Sequence, residues 1–156
     1  MKVSDCMKRQ VFSIPQTATI GQAAALFAAH HIGMLPVLDP DGRLVGNLQL
    51  RDLLALVMPD FVRLVEDFDF VHDFGVLETQ RPTPEVLARP VGQVMQPPVA
   101  VDENCGLLRA FSTLRHRDLH DLPVVTAGDR LVGIASRVDI GTALLAGWQT
   151  PQPGAG

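Results

Sequence analysis

The sequence predicts an α+β fold made of two β-α-β-β-α repeats. The first observation is an internal repeat: LPVLDPDGRLVGNLQLRDLL begins at Leu35, and LPVVTAGDRLVGIASRVDIG begins 87 residues later, at Leu122. The second is an apolar stripe at helical spacing ahead of each copy. The third is a pair of short apolar strands around a polar turn. A unit of this size cannot bury both faces alone, so the copies are expected to share a core.

The elements follow in the same order in both copies. Each copy opens with V-x-x-x-M, at Val3 and at Val91, and a helix is predicted over about 20–31 and about 106–117. Two strands and a second helix follow each of these helices. We therefore expect repeat 1 at 1–58, an acidic helical insert at 59–87, repeat 2 at 88–148 and a disordered tail at 149–156.

The segment between the copies, residues 55–90, is acidic. It contains seven acidic and three basic residues, so its net charge of −4 (3 − 7) equals that of the whole chain. Phe61, Leu64, Val65 and Phe68 fall on one face of a predicted helix. This helix is expected to pack on the core and present an acidic face to water. The alternative is a surface for a homodimer or another protein.

Composition excludes several classes of protein. The 156 residues are 47% hydrophobic and 19% charged, as in an ordinary globular chain. A pI of about 5.6 argues against a nucleic-acid partner. No apolar run reaches the length of a membrane span, and the N-terminus has no signal-peptide pattern. Cys6 and Cys105 are expected to be reduced thiols, and the protein is expected to be cytoplasmic.

Each copy ends with a carboxylate in the first turn of a predicted helix. Ser136 precedes Asp139 by three residues, and Gln49 precedes Asp52 by three. Ser136 and Asp139 approximate a capping box, which is a purely structural role. Gln49 is a poor N-cap, yet Asp52 is kept. The alternative is therefore a ligand site, in which the carboxylate binds vicinal hydroxyls and nearby N–H groups and Arg51 or Arg137 bind phosphate.

A proline occupies the second position of the first strand in both copies. Pro36 and Pro123 each remove a donor from the strand ladder, so they belong at an edge or at a break. A break would leave backbone groups available to a flat heterocycle. The structural alternative is that the proline only marks where the strand begins.

The ordered set of V-x-x-x-M, an apolar helix, L-P-V-[LV], R-L-V-G and a terminal Asp occurs twice. It resembles the cystathionine-β-synthase (CBS) domain, and the pair resembles a Bateman module. The resemblance implies that the two repeats pack with pseudo-twofold symmetry and form two clefts between the copies. It also implies that the pair is a regulatory module and that such modules assemble into a flat dimer. It also implies that the clefts bind AMP, ADP, ATP or S-adenosylmethionine and relay occupancy to an effector protein. No cofactor or catalytic residue is implied.

The family motif G-x-x-[ST]-x-x-D, which holds the ribose, corresponds to Ser136 and Asp139 in copy two and to Gln49 and Asp52 in copy one. The resemblance implies that both copies contribute to each cleft. The Asp139 site would also contain Arg137, as the phosphate contact, and Ile134, Ala135, Val11, Phe12, Ile32, Gly33, Met34 and Leu35. The Asp52 site would also contain Val99, Leu119, His120 and Leu122.

Two residues depart from the family pattern. Gln49 replaces the usual Ser or Thr, which favours the Asp139 site as the working one. Asp121 stands where some nucleotide-binding members carry a basic residue, and it would repel phosphate. The alternative to a sensor is therefore a ligand-free module for dimerisation or protein interaction.

Enzyme and metal-site interpretations have little support. The chain has no G-x-x-x-x-G-K-[ST], G-x-G-x-x-G or G-x-S-x-G motif. His116 and His120 are four apart, but the predicted helix ends near Arg117. His30 and His31 point in different directions from adjacent positions. Neither catalysis nor metal binding is expected.

Overall fold

A computed structural model describes residues 1–57 and 81–148. The predictions for most of the insert and for the tail lie outside these residues, since they concern residues 58–80 and 149–156. Among the described residues, no helix is long and apolar enough to cross a membrane.

The first copy forms a three-stranded sheet in the order β1-β2-β3. Its strands are β1 (Ile14–Pro15), β2 (Met34–Leu38) and β3 (Leu44–Gln49), and its helices are α1 (Ile20–His30) and α2 (Leu50–Leu54). β1 is parallel to β2. Helix α3 (Pro84–Leu87) follows the residues that the structure does not describe.

The second copy repeats this arrangement in the order β4-β5-β6. Its elements are β4 (Val101–Asp102), α4 (Leu107–His116), β5 (Asp121–Thr126), β6 (Arg130–Ser136) and α5 (Arg137–Ala146). β4 is parallel to β5, and β6 is antiparallel to it. The α+β class and the β-α-β-β-α order of both repeats are therefore confirmed.

Local signals set the limits of the helices. Thr19 caps α1: its Oγ1 accepts from the Gln22 N–H at 3.1 Å, while Gln22 Oε1 accepts from the Thr19 N–H at 2.9 Å. The residue that ends α1, His31, is left-handed at φ 52°. Asp118, which follows α4 at the equivalent position (118 − 31 = 87), has φ 51°. A left-handed residue therefore follows the long helix at the equivalent position of both copies.

The chain forms two compact units that exchange their opening segments. The β1–β3 unit contains Ser13–Leu38 and Val45–Pro97. The β4–β6 unit contains Met1–Phe12, Asp39–Leu44 and the residues from Pro98 onward. Each V-x-x-x-M segment therefore folds with the sheet of the other copy.

The core of the β1–β3 unit lies between its sheet and α1. Its fully buried members are apolar residues of the sheet, of α1 and of the segment after α3, namely Ile14, Ile20, Ala23, Phe27, Leu35, Val37, Leu48 and Val91. Burying these side chains is the main source of stability for the unit. Val91 belongs to the opening segment of copy two, so that segment is part of this core.

Two glycine–methionine contacts fix the opening segments. A Cβ on Gly133 would overlap the Met7 side chain in the β4–β6 unit, and a Cβ on Gly46 would overlap the Met95 side chain in the β1–β3 unit. The only residue that leaves room for each methionine is glycine. The Gly of R-L-V-G and the Met of V-x-x-x-M are therefore kept for the same contact.

Candidate ligand site

Ser136 and Asp139 form a reciprocal capping box at the start of α5. Ser136 Oγ accepts from the Asp139 N–H at 3.0 Å, and Asp139 Oδ2 accepts from the Ser136 N–H at 2.9 Å. The capping interpretation of this pair is thus confirmed. The box engages Oδ2. Among residues 1–57 and 81–148, no side-chain or backbone donor bonds to Asp139 Oδ1.

Lys8 is a basic residue of this site that sequence reasoning missed. Its backbone pairs with β6: the Lys8 N–H donates to Ile134 O at 2.8 Å, and the Ile134 N–H donates to Lys8 O at 2.9 Å. Lys8 Nζ lies 3.8 Å from Asp139 Oδ2, and its side chain is 66% exposed, against 18% for Asp139. The opening segment of copy one therefore supplies a cation to the carboxylate of copy two.

Arg137, the predicted phosphate contact, is held against the loop between α4 and β5. Its Nε donates to Leu119 O at 2.7 Å, and a terminal nitrogen lies 3.7 Å from Asp118 Oδ1. Its backbone N–H donates to His120 O at 2.9 Å. The guanidinium thus orients the start of β5. Its contact with phosphate stays a prediction.

Asp121 adds a second carboxyl group to the same edge. It is directly opposite Ser136 in the antiparallel register of β5 and β6. Burial raises the pKa of its carboxyl group; the charges of His120 and Lys8 oppose this increase, and the negative charge of Asp139 adds to it. Two acidic groups therefore lie near one lysine at the start of α5.

The equivalent edge of the β1–β3 unit has different chemistry. Asp52 Oδ2 accepts from the Gln49 N–H at 2.8 Å, as the Asp139 carboxylate does from Ser136. Gln96 takes the place of Lys8: its backbone pairs with Asn47, and its Nε2 donates to Asp52 Oδ1 at 3.4 Å. An amide here replaces an ammonium group, so the two carboxylates have different electrostatic environments.

The two prolines lie where their strands pair on one side only. β1 pairs with Val37 and Leu38 of β2, beyond Pro36. β4 pairs with Val124 and Val125 of β5, beyond Pro123. Each proline therefore precedes the point at which the outer strand joins the ladder, which is an edge position, and the use of this backbone by a heterocycle stays a prediction.

The other predicted site residues divide between the units. In the β4–β6 unit, Asp139 is accompanied by Val11, Phe12, Val99, Leu119, His120, Leu122, Ile134 and Ala135. In the β1–β3 unit, Asp52 and Gln49 are accompanied by Ile32, Gly33, Met34 and Leu35, and Gly33 O accepts from the Leu50 N–H at 3.0 Å. The predicted assignment of residues from opposite copies to each cleft stays a prediction.

Metal ligands do not cluster in the described ranges 1–57 and 81–148, where no group of three His, Cys, Asp or Glu side chains could hold an ion. His116 is the last residue of α4, and its Nδ1 lies 2.8 Å from Ser112 O of the same helix. His120 lies beyond the end of α4, as the repeat alignment predicts. The two histidines therefore do not share a helical face.

Comparison with known proteins finds the same two repeats that the sequence and the fold show. The CBS domain model matches residues 3–59 and 91–146. An uncharacterized protein of Methanocaldococcus jannaschii is 30% identical over 140 residues, which are 89% of this chain and 31% of that protein. The chloroplastic CBS domain-containing protein CBSX1 of Arabidopsis thaliana is 30% identical over 143 residues, covering 88% and 61%. The chain thus spans about a third and about three fifths of these two relatives.

A solved structure confirms the fold. The CBS-pair protein CBSX2 of Arabidopsis thaliana is 26% identical, with a TM-score of 0.73 over 96% of this chain and 98% of that one. A second crystal structure of CBSX2, in complex with AMP, is 25% identical and has a TM-score of 0.71 over 95% and 98%. The family match covers more than half of the residues and falls on both copies of the repeat. The chain therefore belongs to the CBS domain family and contains two CBS domains.

Proposed function

We propose that this chain is a regulatory module that binds an adenosine-containing ligand at the Ser136–Asp139 edge of the β4–β6 unit and relays occupancy to an effector protein. The candidate ligands are AMP, ADP, ATP and S-adenosylmethionine. The observation that carries the proposal is the Asp139 carboxylate: Oδ2 is engaged in the capping box, and Lys8 Nζ lies 3.8 Å from it.

The arrangement suits a ribose. A carboxylate oxygen without a protein donor accepts hydrogen bonds from vicinal hydroxyl groups, and such charge-assisted bonds are strong. The exposed ammonium group of Lys8 can reach one phosphate oxygen. Capping and binding are therefore compatible, because they engage different oxygens of Asp139.

The family comparison supports the same class of ligand. CBSX2, which aligns with 95% of this chain at 25% identity, has been crystallised with AMP. Ile134 of β6 precedes Ser136 by two residues and is partly exposed, so it can supply apolar surface beside the candidate ribose site, whereas Ala135 is fully buried in the core. Ligand occupancy would be relayed to the effector protein if the ligand bound two arrangements of the module with different affinities.

Thermal unfolding with AMP, ADP, ATP and S-adenosylmethionine tests the proposal. A ligand at 100 times its Kd stabilises the fold by about 2.7 kcal/mol. The ligand-induced shift should be lost in Asp139→Ala and retained in the matched variant Asp52→Ala. Because Asp139 also caps α5, each variant is compared with its own ligand-free Tm. A folded protein that shifts with none of the four ligands would refute the proposal.

The second candidate function is a dimerisation or protein-interaction module that needs no ligand. The observation that favours it is apolar helix surface left exposed in both units. In the β4–β6 unit, Leu108, Val138, Leu145 and Trp148 are between half and four fifths exposed. In the β1–β3 unit, α1 and α2 line a groove of about 700 Å³ that includes Ala24, Ala28, Leu50 and Leu54.

Sedimentation equilibrium distinguishes the two candidates. A homodimer through these faces predicts twice the monomer mass without ligand, and Ala28→Glu, which places a charge in the groove, should lower the dimer fraction. Lys8→Met serves as the control, since Lys8 lies on the ligand edge. A monomer at all concentrations would exclude the ligand-free dimer.

A further inference from the structure

The charges at the Ser136–Asp139 edge are unbalanced. Asp139 and Asp121 are acidic, and Lys8 is a basic group close enough to affect both. Arg137 is bonded to Leu119 O and approaches Asp118, so its charge is partly neutralised there. A ligand at this edge therefore meets more negative than positive charge.

The position of Asp121 follows from strand register. It is the first residue of β5 and lies opposite Ser136, the residue that caps α5. Its side chain is half-buried, and the negative charge of Asp139 is among the causes that raise its pKa. Asp121 and Asp139 are therefore close enough to interact through the protein, where screening by salt is weaker than in water.

We propose that Asp121 is a specificity-determining residue that lowers the affinity of this site for every phosphate added to an adenosine ligand. The inference rests on the proposed function, because it requires the ribose to bind at Asp139. The 5′ substituent of that ribose then extends within a Debye length of the Asp121 carboxylate. Neutral and cationic 5′ substituents are favoured over a triphosphate.

The charges on the ligand explain the direction of the effect. Lys8 can neutralise one phosphate. Arg137, the other cation described at this edge, is bonded to Leu119 O and approaches Asp118, so each further phosphate meets the field of Asp121 with less compensation. Two like charges about 8 Å apart at an effective dielectric constant of about 20, after screening by salt, change a Kd by about three- to tenfold. The site should therefore bind adenosine more tightly than ATP.

Calorimetric titration of the full chain with adenosine, AMP and ATP, in EDTA and about 0.1 M salt, tests the inference. In the wild type, Kd should increase from adenosine to ATP. In Asp121→Asn, the ratio of the ATP Kd to the adenosine Kd should fall about three- to tenfold. Asp129→Asn is the matched control, since it removes the same charge at the far end of the β5–β6 hairpin, about 17 Å away at 3.3 Å per strand residue.

The outcomes separate the two proposals. If all three ligands bind and Asp121→Asn leaves the Kd ratio unchanged, the specificity role of Asp121 is overturned while the adenosine site stands. An equal change in Asp129→Asn would also overturn it, because the effect would then reflect net charge alone. If none of the three ligands binds to the folded wild type, the adenosine site itself is refuted, and the inference with it.

Discussion

The side chain of Met7 occupies the space in which residue 133 would carry a Cβ atom. Gly133 lies in β6 of the second copy, whereas Met7 belongs to the opening segment of the first. Lys8 O lies only 3.0 Å from the same Cβ position. The contact between Met7 and Gly133 therefore holds in place the opening segment that brings Lys8 to Asp139. A packing requirement of β6 thus decides that a lysine lies beside the Asp139 carboxylate.

Gly133→Ala should destabilise the protein. The added methyl group would force Met7 and the Lys8 backbone away from β6, and overpacking of this kind costs about 1–3 kcal/mol. Urea unfolding measures the change in the free energy of unfolding. Gly141→Ala in α5 is the control: no atom lies within 4 Å of its Cβ position, so that helix should be stabilised by about 0.5–1 kcal/mol.

A double-mutant cycle with Met7→Ala assigns the effect to this contact. The free-energy cost of the double variant should be smaller than the sum of the two single costs by at least about 0.5 kcal/mol, because Met7→Ala makes room for the new methyl group. Additive costs would show that Gly133 is required for another reason.

The sequence predicts both sheets and the order of their helices because apolar periodicity and capping residues are local signals. α1 begins at Ile20, as its apolar stripe predicts, and the long helix of the second copy follows at the same spacing. The partner of each V-x-x-x-M segment was not predictable. The V-x-x-x-M spacing does not indicate which strand the methionine packs against. Gly133, the glycine that contacts Met7, is more than 120 residues away along the chain.

Gln49→Ser should stabilise the β1–β3 unit. Asp52 Oδ2 already accepts from the backbone N–H of residue 49, so a serine hydroxyl there would complete the box that Ser136 and Asp139 form. A good N-cap contributes about 0.5–2 kcal/mol to the free energy of unfolding. Urea unfolding of Gln49→Ser and of the reverse variant, Ser136→Gln, should give changes of opposite sign. A loss of stability in both would mean that the Gln49 side chain makes a contact that the serine cannot replace.

The chemistry of the site was predicted only in part. Ser136 directly precedes α5 and Asp139 lies in its first turn, and this three-residue spacing at a helix start is recognisable in the sequence. Lys8 was missed because it reaches Asp139 only through the exchange of opening segments. The anchoring of Arg137 on Leu119 O was missed as well, since it depends on where α4 ends rather than on the motif that contains Arg137.

The stability of the protein should depend on pH through Asp121. Its folded-state pKa is raised, mainly by burial, so the native state binds the proton more tightly than the unfolded state does. The stabilising contribution is complete below the unfolded-state pKa and is lost as pH rises through the folded-state pKa. Asp121→Asn never becomes charged, so its advantage in unfolding free energy over the wild type should grow with pH across this window.

Urea titrations of both proteins between pH 3 and pH 7 measure that difference. Asp129→Asn is again the control, because it removes a carboxyl group of the same charge from an exposed position at the other end of the hairpin. A constant difference between Asp121→Asn and the wild type at every pH would contradict the raised pKa of Asp121.

The thiol of Cys6 should report on the charge of Asp139. Burial raises the pKa of Cys6, and the negative charge of Asp139 is the next cause, ahead of that of Asp5. Since only the thiolate reacts, Asp139→Asn should increase the rate at which iodoacetamide alkylates Cys6 at neutral pH. Asp5→Asn should increase it less.

Cys105 is the internal control. Its pKa is raised by burial and by Asp102 and lowered by Arg109, so it should react at the same rate in the wild type and in both variants. Mass spectrometry of the two cysteine peptides gives both rates from one reaction. Equal acceleration at Cys6 and Cys105 would indicate general opening of the fold rather than an electrostatic effect of Asp139.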